Sequence, residues 1–125
     1  GRTPRLRGIA PMQEARAAGM DVLVALDNVR DAFYPYGEYD LLDAWRLAVL
    51  AAHLDPEAWL DAITTLPARA LGLPEPRLSV GAPADFLLLD ATSATDLVSR
   101  ARLRPTVWRA GRLLAAPAVP QREIA

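Results

Sequence analysis

The chain has 125 residues, 52% of them hydrophobic, and a formal net charge of −1, which suits one domain with a modest core. All 14 basic residues are arginines interleaved with acids, so no basic patch for nucleic acid emerges, and the absence of cysteine excludes disulfides and zinc–thiolate sites. No apolar run reaches the roughly 18 residues of a membrane span, and the N-terminus lacks a signal-peptide pattern, so we expect a soluble cytoplasmic protein with no membrane or nucleic-acid partner.

The N-terminal third of the chain predicts a helix, a strand and a loop. Residues 1–10 carry three arginines and a proline and are expected to be exposed. Residues 11–19 predict a short helix, because a proline suits its first turn and a glycine suits its C-cap. The continuous apolar run of residues 21–26 predicts a buried strand. A loop rich in Pro, Gly and Tyr follows over residues 28–40.

The middle of the chain predicts helices. Residues 41–54 have little polar face, so this helix is expected to be buried on most sides. A second helix is predicted over residues 55–65, opened by an Asp-Pro pair that suits the N-cap and the first helical position. A last helical piece ends near residues 71–72. The lone histidine, His53, lies within the first of these helices without a partner at ligand spacing, and we interpret it as structural.

The C-terminal part predicts a small β unit. Residues 85–90 form a short apolar strand, residues 91–99 a polar turn with about one helical turn, and residues 105–110 a second strand. A tight turn at Gly111-Arg112 and a returning strand over residues 113–115 complete a hairpin. The chain therefore divides into a strand–loop–helix unit and a β unit, with the boundary near residue 72.

Asp27 is the best catalytic candidate, because it stands where the apolar run ends and the loop begins. In a β/α barrel, a carboxylate at the C-terminal end of a strand points into the mouth of the active site. The alternative is an ordinary helix-capping or loop aspartate. Within the loop, Arg30 and Asp31 are expected to form a local ion pair of little energetic value.

Four stretches carry a resemblance to a known family. DNVRDAFYPYGEYDLLDAWRLAVLAAHLD resembles the region after the last barrel strand of cytosine deaminase-like members of the amidohydrolase superfamily, and TTLPARALGL resembles the segment that follows it. GLPEPRLSVGAPADFLLLD and VWRAGRLL resemble the C-terminal β elements of the same enzymes. The resemblance covers nearly the whole chain, and its most specific part is the loop DNVRDAFYPYG.

The resemblance implies an α/β fold that is a C-terminal fragment of a (β/α)8, TIM-like barrel with part of its small β-sandwich. Residues 1–72 would supply the last barrel strand, the active-site loop and flanking helices, and residues 73–125 the sandwich segment. An N-terminal barrel portion, bearing an H-x-H motif, two further histidines and a glutamate, would be the partner of this chain. We therefore expect a truncated or split gene product, or a partial sequence.

The activity implied by the resemblance is metal-dependent hydrolytic deamination of a cyclic amidine such as cytosine, within pyrimidine metabolism. The cofactor would be a divalent metal, iron or zinc, and the small heterocyclic substrate would be a second partner; homo-oligomerisation of the complete enzyme is left open. Asp27 would bind the metal and handle protons for the attacking water. One carboxylate cannot hold a catalytic metal without its histidines, so the chain alone is expected to be inactive.

The resemblance also assigns two substrate-binding residues. Asn28 stands where the best-known cytosine deaminases have a second aspartate beside the pyrimidine, and an amide offers a donor as well as an acceptor. Because of this difference, isocytosine, creatinine or triazine-type rings become possible substrates. The simpler interpretation is that Asn28 only stabilises a turn, a position that suits asparagine. Phe33 occupies the position of an aromatic residue that lines the pocket, with loop packing as its alternative.

Two other functions remain open at this point. One is hydrolysis of a different ring by an enzyme of the same superfamily. The other is a non-catalytic remnant that serves as a structural or interaction module.

Overall fold

The structure is a computed structural model that describes residues 8–100, 103 and 105–114. Its elements, in chain order, are α1 (Met12–Ala17), α2 (Leu41–Ala52), a 3₁₀ helix (Leu60–Ile63), α3 (Thr65–Ala70), β1 (Phe86–Leu88), α4 (Ala94–Ser99), β2 (Thr106–Arg109) and β3 (Arg112–Leu113). Most of the predicted N-terminal segment, and Ala115 at the end of the predicted hairpin, lie outside the described residues. Within the described ranges, no helix has the length and apolar character needed to cross a membrane.

The core is built around Trp45 of α2, which is 0% exposed. Its indole Nε1 donates a hydrogen bond of 3.1 Å to the backbone carbonyl of Trp59, so the one polar atom of the buried ring is satisfied. The other buried members of this cluster are Val49, Leu54, Trp59, Ala62 and Leu97. The cluster joins α2, the 3₁₀ helix and α4 into one packed unit.

The short helix predicted at residues 11–19 is confirmed as α1. Gly19 follows it with φ of +84°, the left-handed conformation that favours glycine after a helix end. Arg16 fastens α1 to the core in two ways. Its guanidinium lies 3.8 Å from the centre of the Trp59 ring, and its Nη2 forms an ion pair of 2.6 Å with Asp61.

The strand predicted over residues 21–26 is not formed among the described residues, and the prediction that this segment is buried is wrong. No described residue forms a ladder with this segment, and Leu23 and Leu26 are 40% and 36% exposed. Val22 and Val24 are half-buried against the core, where Val24 N–H donates to the Ala62 carbonyl at 3.0 Å. A strand needs a neighbouring strand for its backbone groups, and a single apolar segment cannot supply one.

The helix predicted over residues 41–54 is confirmed as α2 but ends two residues earlier. His53 is the exposed C-cap with φ of 53°, so its prediction as a residue within a buried helix is wrong. Burial on most sides is also wrong, because Leu47 and Leu50 are exposed. The N-terminus forms as expected: the Asp40 carboxylate accepts a hydrogen bond of 2.9 Å from the Leu42 N–H.

The single helix predicted over residues 55–65 is also wrong. Asp55 does cap a turn, since its Oδ1 accepts from the Ala58 N–H at 2.8 Å. The chain then continues as a turn, the 3₁₀ helix and α3, which contains Pro67 in its first turn. Proline tolerates that position because the first helical N–H groups have no intrahelical acceptor.

The predicted β unit is confirmed as a three-stranded antiparallel sheet of order β1-β2-β3. Phe86 pairs with Trp108, and their rings stack with centroids 5.9 Å apart. The hairpin turns one residue earlier than predicted, at Ala110 and Gly111, whose φ angles are 48° and 73°. Two successive positive φ angles are typical of a type I′ turn, which matches the twist of the flanking strands.

The Asp85 side chain ties the first strand to this hairpin. Its Oδ1 accepts a hydrogen bond from the Ala110 N–H, and the Ala84 carbonyl accepts from the Gly111 N–H at 3.1 Å. The helical turn predicted between the strands is α4, capped by the Ser93 hydroxyl at its N-terminus. Leu97 of α4 belongs to the core, so the β unit is anchored on α2.

We expect the isolated chain to be loosely packed. Both outer strands of the sheet have unpaired edges within the described region, and Leu87, Leu88 and Leu113 on them are exposed. The chain should bind the dye ANS and lack a sharp near-UV dichroism spectrum. A cooperative thermal transition from a monomer that binds no ANS would show that the domain is self-sufficient.

Candidate functional site

The candidate site is a loop, residues 27–40, that leads from residues 21–26 into α2. Most of it is exposed. Its one buried side chain is Val29, 6% exposed, whose backbone carbonyl accepts from the Tyr39 hydroxyl at 3.4 Å. Val29 therefore anchors the start of the loop close to its end.

Arg30 closes the loop with its backbone and its side chain. Its N–H donates to the Tyr36 carbonyl at 3.1 Å, and its Nε donates to the Gly37 carbonyl at 2.9 Å. The guanidinium also pairs with Glu38 at 2.6 Å. The expected ion pair between Arg30 and Asp31 is therefore wrong: the left-handed backbone of Arg30, with φ of 51°, accompanies a side chain paired with the far side of the loop.

Asp31 organises the near side of the loop. One oxygen, Oδ1, accepts from the backbone N–H groups of Phe33 at 2.8 Å and Tyr34 at 2.9 Å. The other oxygen, Oδ2, accepts from the side-chain amide of Asn28 at 2.7 Å. The amide of Asn28, with the N–H groups of Tyr34 and Phe33, lowers the pKa of Asp31 below its usual value, because these donors favour the charged form. This role of Asp31 was not predicted from the sequence.

Phe33 stands at the tip of the loop and is 89% exposed. The neighbouring Tyr34 and Tyr36 pack edge to face, with ring centroids 5.4 Å apart, and form the aromatic scaffold of the loop. Phe33 thus takes little part in loop packing among the described residues, and its ring is open to a ligand.

Asp27 is exposed at the start of the loop, directly before Asn28 in the chain. Within the described residues, no group of three or more His, Cys, Asp or Glu side chains could hold a metal ion. The ligand set present in this part of the chain therefore does not fit a catalytic metal, and Asp27 is at most a single ligand. The roles predicted for Asp27, Asn28 and Phe33 stay predictions.

A separate apolar groove of about 490 Å³ lies between α2, the 3₁₀ helix and β1. None of the candidate site residues lines it. Its lining is mainly aliphatic and includes Leu41, Leu42, Leu60, Ile63, Phe86 and Leu97. Its polar lining residues are Thr64, Arg77 and Asp85. The Thr64 hydroxyl donates to the Leu60 carbonyl and Asp85 accepts from the Ala110 N–H, so these two groups already have partners and we place the candidate site at the loop.

One curated relative matches most of the chain, and a second matches about half of it. A pterin deaminase from Rhizobium rhizogenes is 41% identical over 117 residues, which cover 91% of this chain and 27% of that protein. A dihydroorotase from Deinococcus radiodurans is 36% identical over 66 residues, which cover 49% of this chain and 15% of that protein. The chain therefore spans about a quarter or less of the length of these relatives.

Solved structures match the fold. A 5-methylcytosine deaminase from Klebsiella pneumoniae with bound phosphonocytosine superposes with a TM-score of 0.78 at 30% identity, covering 98% of this chain and 31% of that one. The same enzyme with 5-fluorocytosine gives 0.78 at 32% identity, covering 99% and 30%. The model of the amidohydrolase family matches residues 1–115. Together with the deaminases that it resembles in sequence and fold, this match identifies the chain as a member of the amidohydrolase family.

Proposed function

We propose that this chain acts as the C-terminal part of a hydrolytic deaminase that removes an exocyclic amino group from a planar nitrogen heterocycle. The observation that carries the proposal is the 41% identity to a pterin deaminase over 91% of the chain. The fold similarity to a 5-methylcytosine deaminase supports the same reaction class. Within the complete enzyme, residues 21–26 would be the last barrel strand and the sheet β1-β2-β3 part of the small β-sandwich.

The substrate we favour carries its amino group on the carbon between two ring nitrogens, beside a lactam. Pterin has this arrangement, and so does isocytosine, which the presence of Asn28 in place of an aspartate had left open. A cytosine-type ring is the second candidate, favoured by the 5-methylcytosine deaminase structures. A different reaction on another ring is favoured only by the shorter match to a dihydroorotase.

Asp27 is the residue that we propose for proton transfer. In hydrolytic deamination, water adds to the carbon that bears the amino group, and ammonia leaves. A carboxylate beside that carbon can accept the proton of the water and return it to the departing amine. The metal, iron or zinc, and its other ligands would belong to the N-terminal portion, because the described residues do not assemble a metal site.

Phe33 is proposed to cover one face of the heterocycle. Its ring is almost wholly exposed at the tip of a loop that internal hydrogen bonds hold together. A flat aromatic face suits a flat substrate, and the contact would add binding energy without touching the reacting carbon.

The isolated 125-residue chain should release no ammonia from pterin, isocytosine or cytosine with iron, zinc or manganese supplied. One exposed carboxylate does not fix a metal-bound nucleophile. A coupled ammonia assay on rigorously purified chain, with the complete Rhizobium rhizogenes pterin deaminase as positive control, checks this. Metal-dependent turnover that co-purifies with the chain would overturn the proposed division of ligands.

A completed enzyme, with this chain joined to the N-terminal portion of the pterin deaminase from Rhizobium rhizogenes, should deaminate pterin. In it, Asp27→Asn should lower kcat by roughly 10²–10⁴-fold, because the amide keeps the shape of the side chain but not its basicity. The measurement is kcat/KM for pterin, isocytosine and cytosine, with metal content determined in parallel.

Phe33→Ala is the matched comparison for Asp27→Asn. It should change the ranking of the three substrates more than it lowers the best rate, because the ring would touch the heterocycle and not the reacting centre. Full activity and full metal in Asp27→Asn would exclude the assignment of Asp27. A completed enzyme that folds, holds metal and deaminates none of the three substrates would exclude the proposed function.

A further inference from the structure

We propose that Asp31 is a positioning residue, whose carboxylate holds the side-chain NH₂ group of Asn28 so that Asn28 presents its carbonyl oxygen to the substrate. The inference rests on the proposed function and deepens it. Because a carbonyl oxygen accepts hydrogen bonds, the substrate must offer an N–H donor at this point of the site, such as a ring lactam N–H.

The orientation of the Asn28 amide follows from the chemistry of its partner. The Nδ2 of Asn28 lies 2.7 Å from Oδ2 of Asp31. An ionised carboxylate can only accept hydrogen bonds, so the end of the amide that faces it must be the NH₂ group. The oxygen end therefore points away from Asp31, and no described residue donates a hydrogen bond to it.

Asp31 is itself fixed, which makes it a firm support. Its other oxygen accepts from the backbone N–H groups of Phe33 and Tyr34, so the carboxylate cannot rotate without losing two further hydrogen bonds. The Asp31 N–H in turn donates to the Tyr34 carbonyl at 3.1 Å. Because these three hydrogen bonds hold Asp31 in place, its carboxylate restricts the Asn28 amide to one of its two orientations.

The pair gives the site a neutral acceptor backed by a charge. An aspartate at position 28 would present a full negative charge to the ring, whereas the Asn28 oxygen presents a dipole that Asp31 polarises from behind. A ring that offers an N–H at this edge gains a hydrogen bond. A ring that offers only an acceptor leaves two lone pairs facing each other, which is unfavourable in a site closed to water.

The variant Asp31→Asn makes the proposal testable, because it exchanges the hydrogen-bond donor and acceptor between positions 28 and 31. The oxygen of an amide at position 31 would keep the hydrogen bonds from Phe33 and Tyr34, and its NH₂ group would then face Asn28. Asn28 would have to turn its oxygen inward and its NH₂ group toward the substrate. In the completed enzyme, we expect this variant to lower kcat/KM for pterin about ten- to hundredfold, with metal content unchanged.

Asn28→Asp tests whether the loss acts through Asn28. Added to Asp31→Asn, it restores an acceptor beside the substrate, because one carboxylate oxygen accepts from the new amide and the other faces the ring. The double variant should recover kcat/KM to within about threefold of the parent enzyme. Asn28→Asp alone should be impaired, because it places two carboxylates in contact.

Glu38→Gln is the matched control, since it also neutralises one carboxylate of the same loop. Glu38 pairs with Arg30 in an exposed ion pair and does not contact Asn28, so this variant should keep the parent kcat/KM within about twofold. Unchanged activity in Asp31→Asn would overturn the proposal. A loss that the added Asn28→Asp fails to recover would also overturn it, because Asp31 would then act through the loop as a whole.

A second measurement separates this inference from the proposed function. The side-chain NH₂ resonances of Asn28 in the completed enzyme can be identified by their disappearance in Asn28→Asp. They should shift when Asp31 is replaced by Asn and should not shift when Glu38 is replaced by Gln. A completed enzyme without deaminase activity would refute the proposed function, and these resonances would still decide the orientation of the amide.

Discussion

The described part of the chain depends on one hydrogen bond inside an apolar cluster, from the Trp45 indole to the Trp59 carbonyl. Trp45 is fully buried, and an unsatisfied indole N–H at this position would cost about 1–3 kcal/mol. The bond fixes α2 against the turn that precedes the 3₁₀ helix. Arg16 of α1 stacks on the same Trp59 ring, and Leu97 brings α4 onto the cluster. Three separate helices are thereby assembled around one pair of tryptophans.

Elements with local signals could be predicted from the sequence. The glycine after α1, the Asp40 cap of α2 and the Ala-Gly turn of the hairpin each act over a few residues, and each formed at or within one residue of its expected place. Two other predictions failed where packing against residues distant in the chain decides the structure. The strand at residues 21–26 needed a ladder, and the helix at residues 55–65 was replaced by tighter turns that bring Trp59 and Ala62 into the core.

The candidate site, too, could be predicted from the sequence only in part. The sequence singled out Asn28 by its place after Asp27, but it could not show that Asp31 takes hold of the Asn28 amide. Instead, proximity along the chain favoured an ion pair between Arg30 and Asp31. The left-handed backbone at Arg30 accompanies a different arrangement, in which the guanidinium spans the loop to Gly37 and Glu38 while Asp31 collects N–H donors on the other side. The positive φ angle of Arg30, which its residue type does not predict, thus accompanies two separate hydrogen-bond networks in the loop.

The residues of the candidate site are held in place in two different ways. Asn28 and Phe33 belong to a loop whose hydrogen bonds link residues no more than about ten positions apart, so their geometry is set by this segment itself. Asp27 stands at the end of residues 21–26, which lack a ladder partner among the described residues. In a barrel, neighbouring strands would fix its position and direction. Under the proposed function, the substrate-facing part of the site would therefore be organised within this chain, whereas the reacting carboxylate would depend on strands that other parts of the enzyme supply.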